Sequence, residues 1–107
     1  MDIAENRSRL EAQLAELEVR LSRIEADLAL PLDADSSERA VEVEDEVSLA
    51  GQALLIEREI ASVRRALERI TNGTYGECVR CGATIALARL DARPEAALCI
   101  GCAAAEQ

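Results

Sequence analysis

Apolar residues recur at alternating steps of four and three along two stretches of this chain, and that pattern leaves few folds open. In the first stretch Ile3, Leu10, Leu14, Leu17, Leu21, Ile24 and Leu28 form a heptad seam, which marks an amphipathic helix burying one narrow stripe. Pro31 stops it, because the residue before a proline is pushed out of the helical region. At about 1.5 Å per residue such a helix is roughly 40 Å long. The second seam runs Leu49, Ala53, Ile56, Ile60, Val63, Leu67 and Ile70. Its helix is expected to start at Asp35, Ser36 or Ser37 as cap and to end at Asn72-Gly73, which suits a left-handed C-cap. Before Leu49, the positions Ala40, Val43 and Val47 follow a shifted register, which reads as a stutter. Residues 30–37 are left as the turn. Two stripes of matching length joined by a short turn bury each other most simply as an antiparallel coiled-coil hairpin. The same stripes would also serve an intermolecular bundle, since a hairpin seam and a dimer seam look alike in one dimension; a monomer is the expectation.

A hairpin of this composition needs a clasp. The chain has 107 residues, no Phe, no Trp and Tyr75 as its one aromatic, so a thick core is out of reach, and small domains of this kind commonly rely on a metal or a covalent staple. The sequence offers Cys78-x-x-Cys81, a gap of seventeen residues, then Cys99-x-x-Cys102. Two knuckles of that spacing bring four thiolates to one point, the ligand set of a structural zinc ion. Gly82 and Gly101 are placed to permit tight turns at the knuckles. A thioredoxin-like redox pair would need a βαβ surround that is missing, and buried free thiols would leave the double spacing unexplained. The expected fold is therefore mainly α: residues 1–72 a coiled-coil hairpin with an acidic tip near 31–46, and residues 73–107 a small four-cysteine zinc finger with a short terminal helix. Four protein ligands leave no coordination position for water. With no His, no Lys and no glycine-rich phosphate loop, an enzyme is not expected.

Charge is unevenly spread. All twelve basic residues are arginine, and 21 acids bring the net charge to −9. Residues 33–47 alone hold seven acids and one arginine, whereas residues 48–107 are balanced. Such a chain repels nucleic-acid phosphate, so direct DNA binding is not expected. No positive leader and no apolar run of spanning length are visible, so no membrane association is expected. A cytoplasmic setting is the expectation, and there paired cysteines point to metal rather than to disulfides. At the expected tip, Asp35 followed by Glu38 fits a capping box, and acids favour a helix N-terminus. Capping uses one or two acids, however, not seven; charge concentrated there would also steer the chain toward a basic surface or a metal-bearing cleft.

The stretches Gly73-Thr74-Tyr75-Gly76-Glu77-Cys78-Val79-Arg80-Cys81-Gly82, Arg89-Leu90-Asp91-Ala92-Arg93-Pro94 and Leu98-Cys99-Ile100-Gly101-Cys102 resemble the DksA/TraR family of zinc-containing transcription factors. The resemblance covers roughly residues 35–107. It implies a coiled coil that enters the secondary channel of bacterial RNA polymerase and carries an acidic tip toward the active site, altering initiation. The family tip pattern Asp-x-x-Asp-x-Ala falls on Asp35, Glu38 and Ala40, with Glu38 keeping the charge on a longer stem. Arg58, Arg64 and Arg65 are candidate contacts to the channel rim. Some members bind the alarmone (p)ppGpp jointly with polymerase through basic residues, and the matching positions are Ser62, Arg93 and Ala103. Only Arg93 keeps the charge, as the candidate alarmone contact, which weakens the expectation of (p)ppGpp dependence. Longer members carry an added N-terminal segment and a longer terminal helix, and this chain is expected to lack both. The leading expectation is thus a polymerase-binding regulator of initiation without sequence-specific DNA contacts. The alternative is a zinc-clasped coiled-coil adaptor that joins other proteins and never meets polymerase.

Overall fold

The first helix begins where the sequence supplies a cap. The Asp2 carboxylate accepts from the Glu5 N–H at 3.1 Å, satisfying one of the orphan donors that every helix start exposes. The computed structural model describes residues 2–30 and 36–106, with side chains of the second helix described from Ser48 onward. Four helices follow in order: α1 (Ile3–Leu28), α2 (Ser36–Asn72), α3 (Leu87–Ala92) and α4 (Ile100–Ala105). Among the described residues there is no strand beyond an isolated antiparallel bridge between Glu77 and Thr84. Ser36 and Ser37 lie within α2 rather than in the turn, while Pro31 and Asp35 fall outside the described residues. Among the described residues no helix is long and apolar enough to cross a membrane.

Two units divide the chain. One is Ala15–Ile60, in which Leu17 and Ile24 of α1 and Ala53, Ile56 and Ile60 of α2 are buried. These residues come from the two predicted seams and cover one another as antiparallel helices do. The other unit joins Met1–Leu14 to Ala61–Gln107. Its buried side chains are Leu10 of α1, Val63, Ala66 and Ile70 of α2, and Tyr75, Ile85, Leu90 and Ala96 beyond them.

Two rungs of the seams differ from expectation, both in this second unit. Ile3 is 43% exposed, whereas Asn6 is 3% exposed. There α1 meets more than an aliphatic stripe, because the Asn6 side chain lies against the Tyr75 phenol, a polar neighbour that the α2 seam does not supply. On α2, Ala66 is fully buried and Leu67 only partly. Ala66 stands three residues after Val63 and four before Ile70, so it shares their face of the helix and takes the inward position.

The end of α2 is built as the Asn72-Gly73 pair predicts. The Thr74 N–H reaches the Arg69 carbonyl at 2.9 Å and the Gly73 N–H reaches Ile70 at 3.3 Å, the paired bonds of a Schellman motif. Gly73 supplies the left-handed residue, with φ +78.

Leu10→Ala should therefore cost about 2–5 kcal/mol, as deletion of a fully buried leucine does, while Ile3→Ala should stay within about 0.5 kcal/mol as an exposed change does. Thermal or urea unfolding followed by circular dichroism measures both, and equal costs would mean that the seam starts at Ile3 after all.

Candidate metal centre

The first knuckle is a tight reversal closed by backbone bonds. The Glu77–Thr84 bridge brackets it, the Cys78 N–H donates to the Ala83 carbonyl at 2.8 Å, and the Gly82 N–H donates back to Cys78 at 2.9 Å. Gly82 has φ +78, so the glycine that follows the pair is required by the turn. The second knuckle is a helix start. Cys99 is the N-cap of α4, and its sulfur accepts from the Cys102 N–H at 3.5 Å. Gly101 differs from the expectation, since it is helical and has no positive φ. The second pair turns as a helix does, so it needs no left-handed residue.

These two turns place the sulfurs of Cys78, Cys81, Cys99 and Cys102 within 4.8 Å of one another. Cys81 Sγ and Cys99 Sγ are 3.8 Å apart, far beyond the roughly 2.05 Å of a disulfide, and all four thiols are free. A tetrahedron with zinc–sulfur bonds of about 2.3 Å has edges of roughly 3.8 Å, so that separation fits two ligands of one zinc ion. The electrostatics agree with a cation site. The backbone N–H groups of Cys81 and then Cys99 lower the Cys78 thiol to about 6, whereas the sulfurs of Cys99 and Cys81 push Cys102 up to about 12. Four thiolates this close repel one another, and a divalent cation allows all four to ionise. One structural zinc ion is the cofactor this centre holds, and its role is to bind together two chain segments.

Several residues around the centre are not among the site residues expected from the sequence. Tyr75 is buried with its hydroxyl donating to the Pro94 carbonyl at 2.9 Å; burial raises its pKa and the Asn6 side chain pulls it back. The Asn6 carbonyl oxygen accepts from Arg9 Nη1 at 3.4 Å, but its Nδ2 has no hydrogen-bond partner among the described residues. Arg69 near the end of α2 is desolvated enough to lower its pKa. In the sequence Tyr75 stands out as the sole aromatic and as part of the stretch Gly73–Gly82 that carries the family resemblance, whereas Asn6 and Arg69 carry no signal.

Of the remaining predicted site residues, Arg58, Arg64, Arg65 and Arg93 are described, and none of them is part of the four-cysteine cluster. Asp35 lies outside the described residues. Glu38 and Ala40 belong to α2, and their side chains are likewise outside the description. Arg58, Arg64 and Arg65 are exposed on α2. Arg93 is the C-cap of α3 and pairs with the Glu95 carboxylate at 3.3 Å, its own side chain 67% exposed; so open a pair adds little stability.

Removing zinc with a chelator should unfold residues 74–106 and leave the hairpin helices in place, because binding free energy is folding free energy in so small a site. The lost helices are of six residues each, against 26 and 37 in α1 and α2. Far-UV dichroism should therefore fall only modestly while amide exchange rises throughout 74–106; unchanged exchange there would remove the structural role of the metal.

Comparison with known proteins agrees with this architecture. Residues 73–107 match the family described as prokaryotic dksA/traR C4-type zinc finger, and residues 6–70 match the family described as DnaK suppressor protein-like, N-terminal domain. The proteins named RNA polymerase-binding transcription factor DksA from Escherichia coli strain K12 and from Salmonella typhimurium strain LT2 are each 38% identical over 69 residues, 64% of this chain and 45% of theirs. The match thus spans under half the length of those relatives. Among solved structures, transcription factor DksA2 from Pseudomonas aeruginosa superposes with a TM-score of 0.81 at 28% identity, covering 96% of this chain and 81% of that one. The solution structure of DnaK suppressor protein from Agrobacterium tumefaciens C58 gives 0.69 at 35% identity, covering 98% and 94%. With its helical hairpin, its four-thiolate centre and a family match over most of its length, the chain belongs to the DksA/TraR family of C4 zinc-finger proteins.

Proposed function

We propose that the protein regulates transcription by binding bacterial RNA polymerase, and that it does so through protein contacts rather than by reading DNA. The observation that carries this reading is the four-cysteine centre joined in one chain to the family hairpin, in relatives that are named for binding RNA polymerase. The acidic balance of the chain supports the second half of the proposal. At −9 it lacks the excess of cations that contact with a phosphate backbone requires.

The finer mechanism is insertion of the hairpin into the secondary channel, with Asp35, Glu38 and Ala40 at the working tip. Seven acids within residues 33–47 supply a strong local field, which speeds approach to a basic or metal-bearing cleft. The exposed Arg58, Arg64 and Arg65 would meet acidic groups at the channel rim. No dependence on (p)ppGpp forms part of the proposal, because Ser62 and Ala103 stand where alarmone-responsive members carry cations, leaving Arg93 alone.

Co-purification of the zinc-loaded protein with polymerase core enzyme, challenged by a known secondary-channel binder, tests the reading. Competed binding is expected; recovery of some other partner in place of polymerase would replace it with the adaptor role. Asp35→Asn with Glu38→Gln should bind polymerase as the parent does and lose most of its effect on initiation in a reconstituted assay. Full retained activity would remove the tip mechanism while leaving the binding intact.

A further inference from the structure

Five consecutive backbone carbonyls lead into Cys99, and each of them meets a donor. The Pro94 carbonyl accepts from the Tyr75 hydroxyl at 2.9 Å. Those of Glu95 and Ala96 share Arg69 Nη2, at 3.5 and 3.4 Å. Ala97 accepts from the Val79 N–H at 2.9 Å, and Leu98 from Arg89 Nε at 2.8 Å. The segment lies between α3 and α4 and has no helix or strand of its own. Irregular backbone commonly leaves such groups to water; this stretch is held by protein donors at every position.

None of these bonds completes a helix. All of them fix the stretch that delivers Cys99 and Cys102, and Val79 sits between Cys78 and Cys81, so one bond ties the first knuckle directly to the approach of the second. The two cysteine pairs are therefore linked by contacts that involve no sulfur as well as by the sulfurs themselves. Two of the donors are guanidinium groups, whose charge-assisted bonds are stronger than neutral ones.

We propose that Arg69, Tyr75 and Arg89 are positioning residues of the zinc centre: they hold residues 94–98 so that Cys99 and Cys102 meet Cys78 and Cys81 in the geometry the metal takes, and zinc affinity depends on them. Ordering an irregular segment of this length costs backbone entropy at every residue. Because this segment folds as zinc binds, donors that hold its carbonyls in the folded state offset part of that cost and raise the zinc affinity. Arg89 acts closest, on the carbonyl next to Cys99 and through the shortest of the five bonds. Arg69 belongs to α2, so zinc binding is linked to the last turns of that helix, and by reciprocity bound zinc steadies them.

The test uses the full chain. Arg89→Met and Arg69→Met keep the length of the side chain and remove its donors. Zinc affinity is read by competition with a chelating indicator, and cobalt(II) is substituted as a probe of ligand geometry. Outer-shell partners of metal ligands typically change affinity roughly 10–100-fold, so Arg89→Met should lose about tenfold or more and Arg69→Met somewhat less. Arg89→Lys should recover part of the loss, since an ammonium can still reach the Leu98 carbonyl. Zinc-saturated variants should keep parental helix content and keep Tyr75, the sole aromatic, shielded from a soluble fluorescence quencher, which separates positioning from unfolding. Folded variants that bind zinc within about twofold of the parent, far below the outer-shell range, with an unchanged cobalt d–d spectrum, would overturn the proposal. Should either methionine variant fail to fold at saturating zinc, Tyr75→Phe decides on the same terms. It removes one hydroxyl and keeps the ring, and it should weaken zinc binding several-fold if the row of carbonyls is what places the cysteines.

Discussion

Four sulfurs within 4.8 Å cannot all carry negative charge without a cation between them, and the C-terminal third of the chain is organised around that constraint. Its two helices are six residues each, too short to persist alone. Its buried apolar side chains, chiefly Ile85 and Leu90 with Tyr75, are few. Zinc converts a repulsive cluster into the strongest local attraction, and the short helices, the knuckle and the packed side chains around it become worth ordering together.

The hairpin rests on different physics. In the unit Ala15–Ile60 the buried groups are aliphatic and the stabilisation is non-directional, proportional to the area removed from water. In the unit that includes the zinc centre, directional bonds from Tyr75, Arg69 and Arg89 are added. The chain thus passes from a repetitive apolar interface to one specified by individual donors and acceptors. The same α2 serves both, because its seam continues through Val63, Ala66 and Ile70 while Arg69 projects to the backbone of residues 95 and 96.

What could be seen in the sequence followed from periodicity and from ligand chemistry. Heptad spacing marks a helix wherever it persists, so both helices and most of their buried positions were legible, and paired cysteines have few other uses in a reducing setting. Local signals also served at Asn72-Gly73 and Gly82. The departures came where a tertiary neighbour changes what a position faces. Asn6, buried in place of Ile3, answers to Tyr75, and nothing in the spacing of α1 announces it. The short helix α3 has fewer than two turns and no repeat to detect. Arginines that donate to carbonyls look the same in sequence as arginines that face solvent, so the row held by Arg69 and Arg89 could only be found in three dimensions.

Asn6 bears on a problem that repetitive seams create for themselves. Where Leu10, Leu17 and Ile24 recur every seven residues, sliding one helix along the other by a heptad would return leucine-like groups to leucine-like places at small loss. A buried amide placed once, beside the one phenol in the chain, breaks that translational degeneracy. Any slipped alignment leaves the Tyr75 phenol without the amide beside it, a loss of the kind that fixes alignment in coiled coils elsewhere. Among the described residues the Asn6 Nδ2 has no hydrogen-bond partner, which gives up some stability; in exchange α1 has a single phase relative to α2, and a vernier with one distinct mark can be read in only one way.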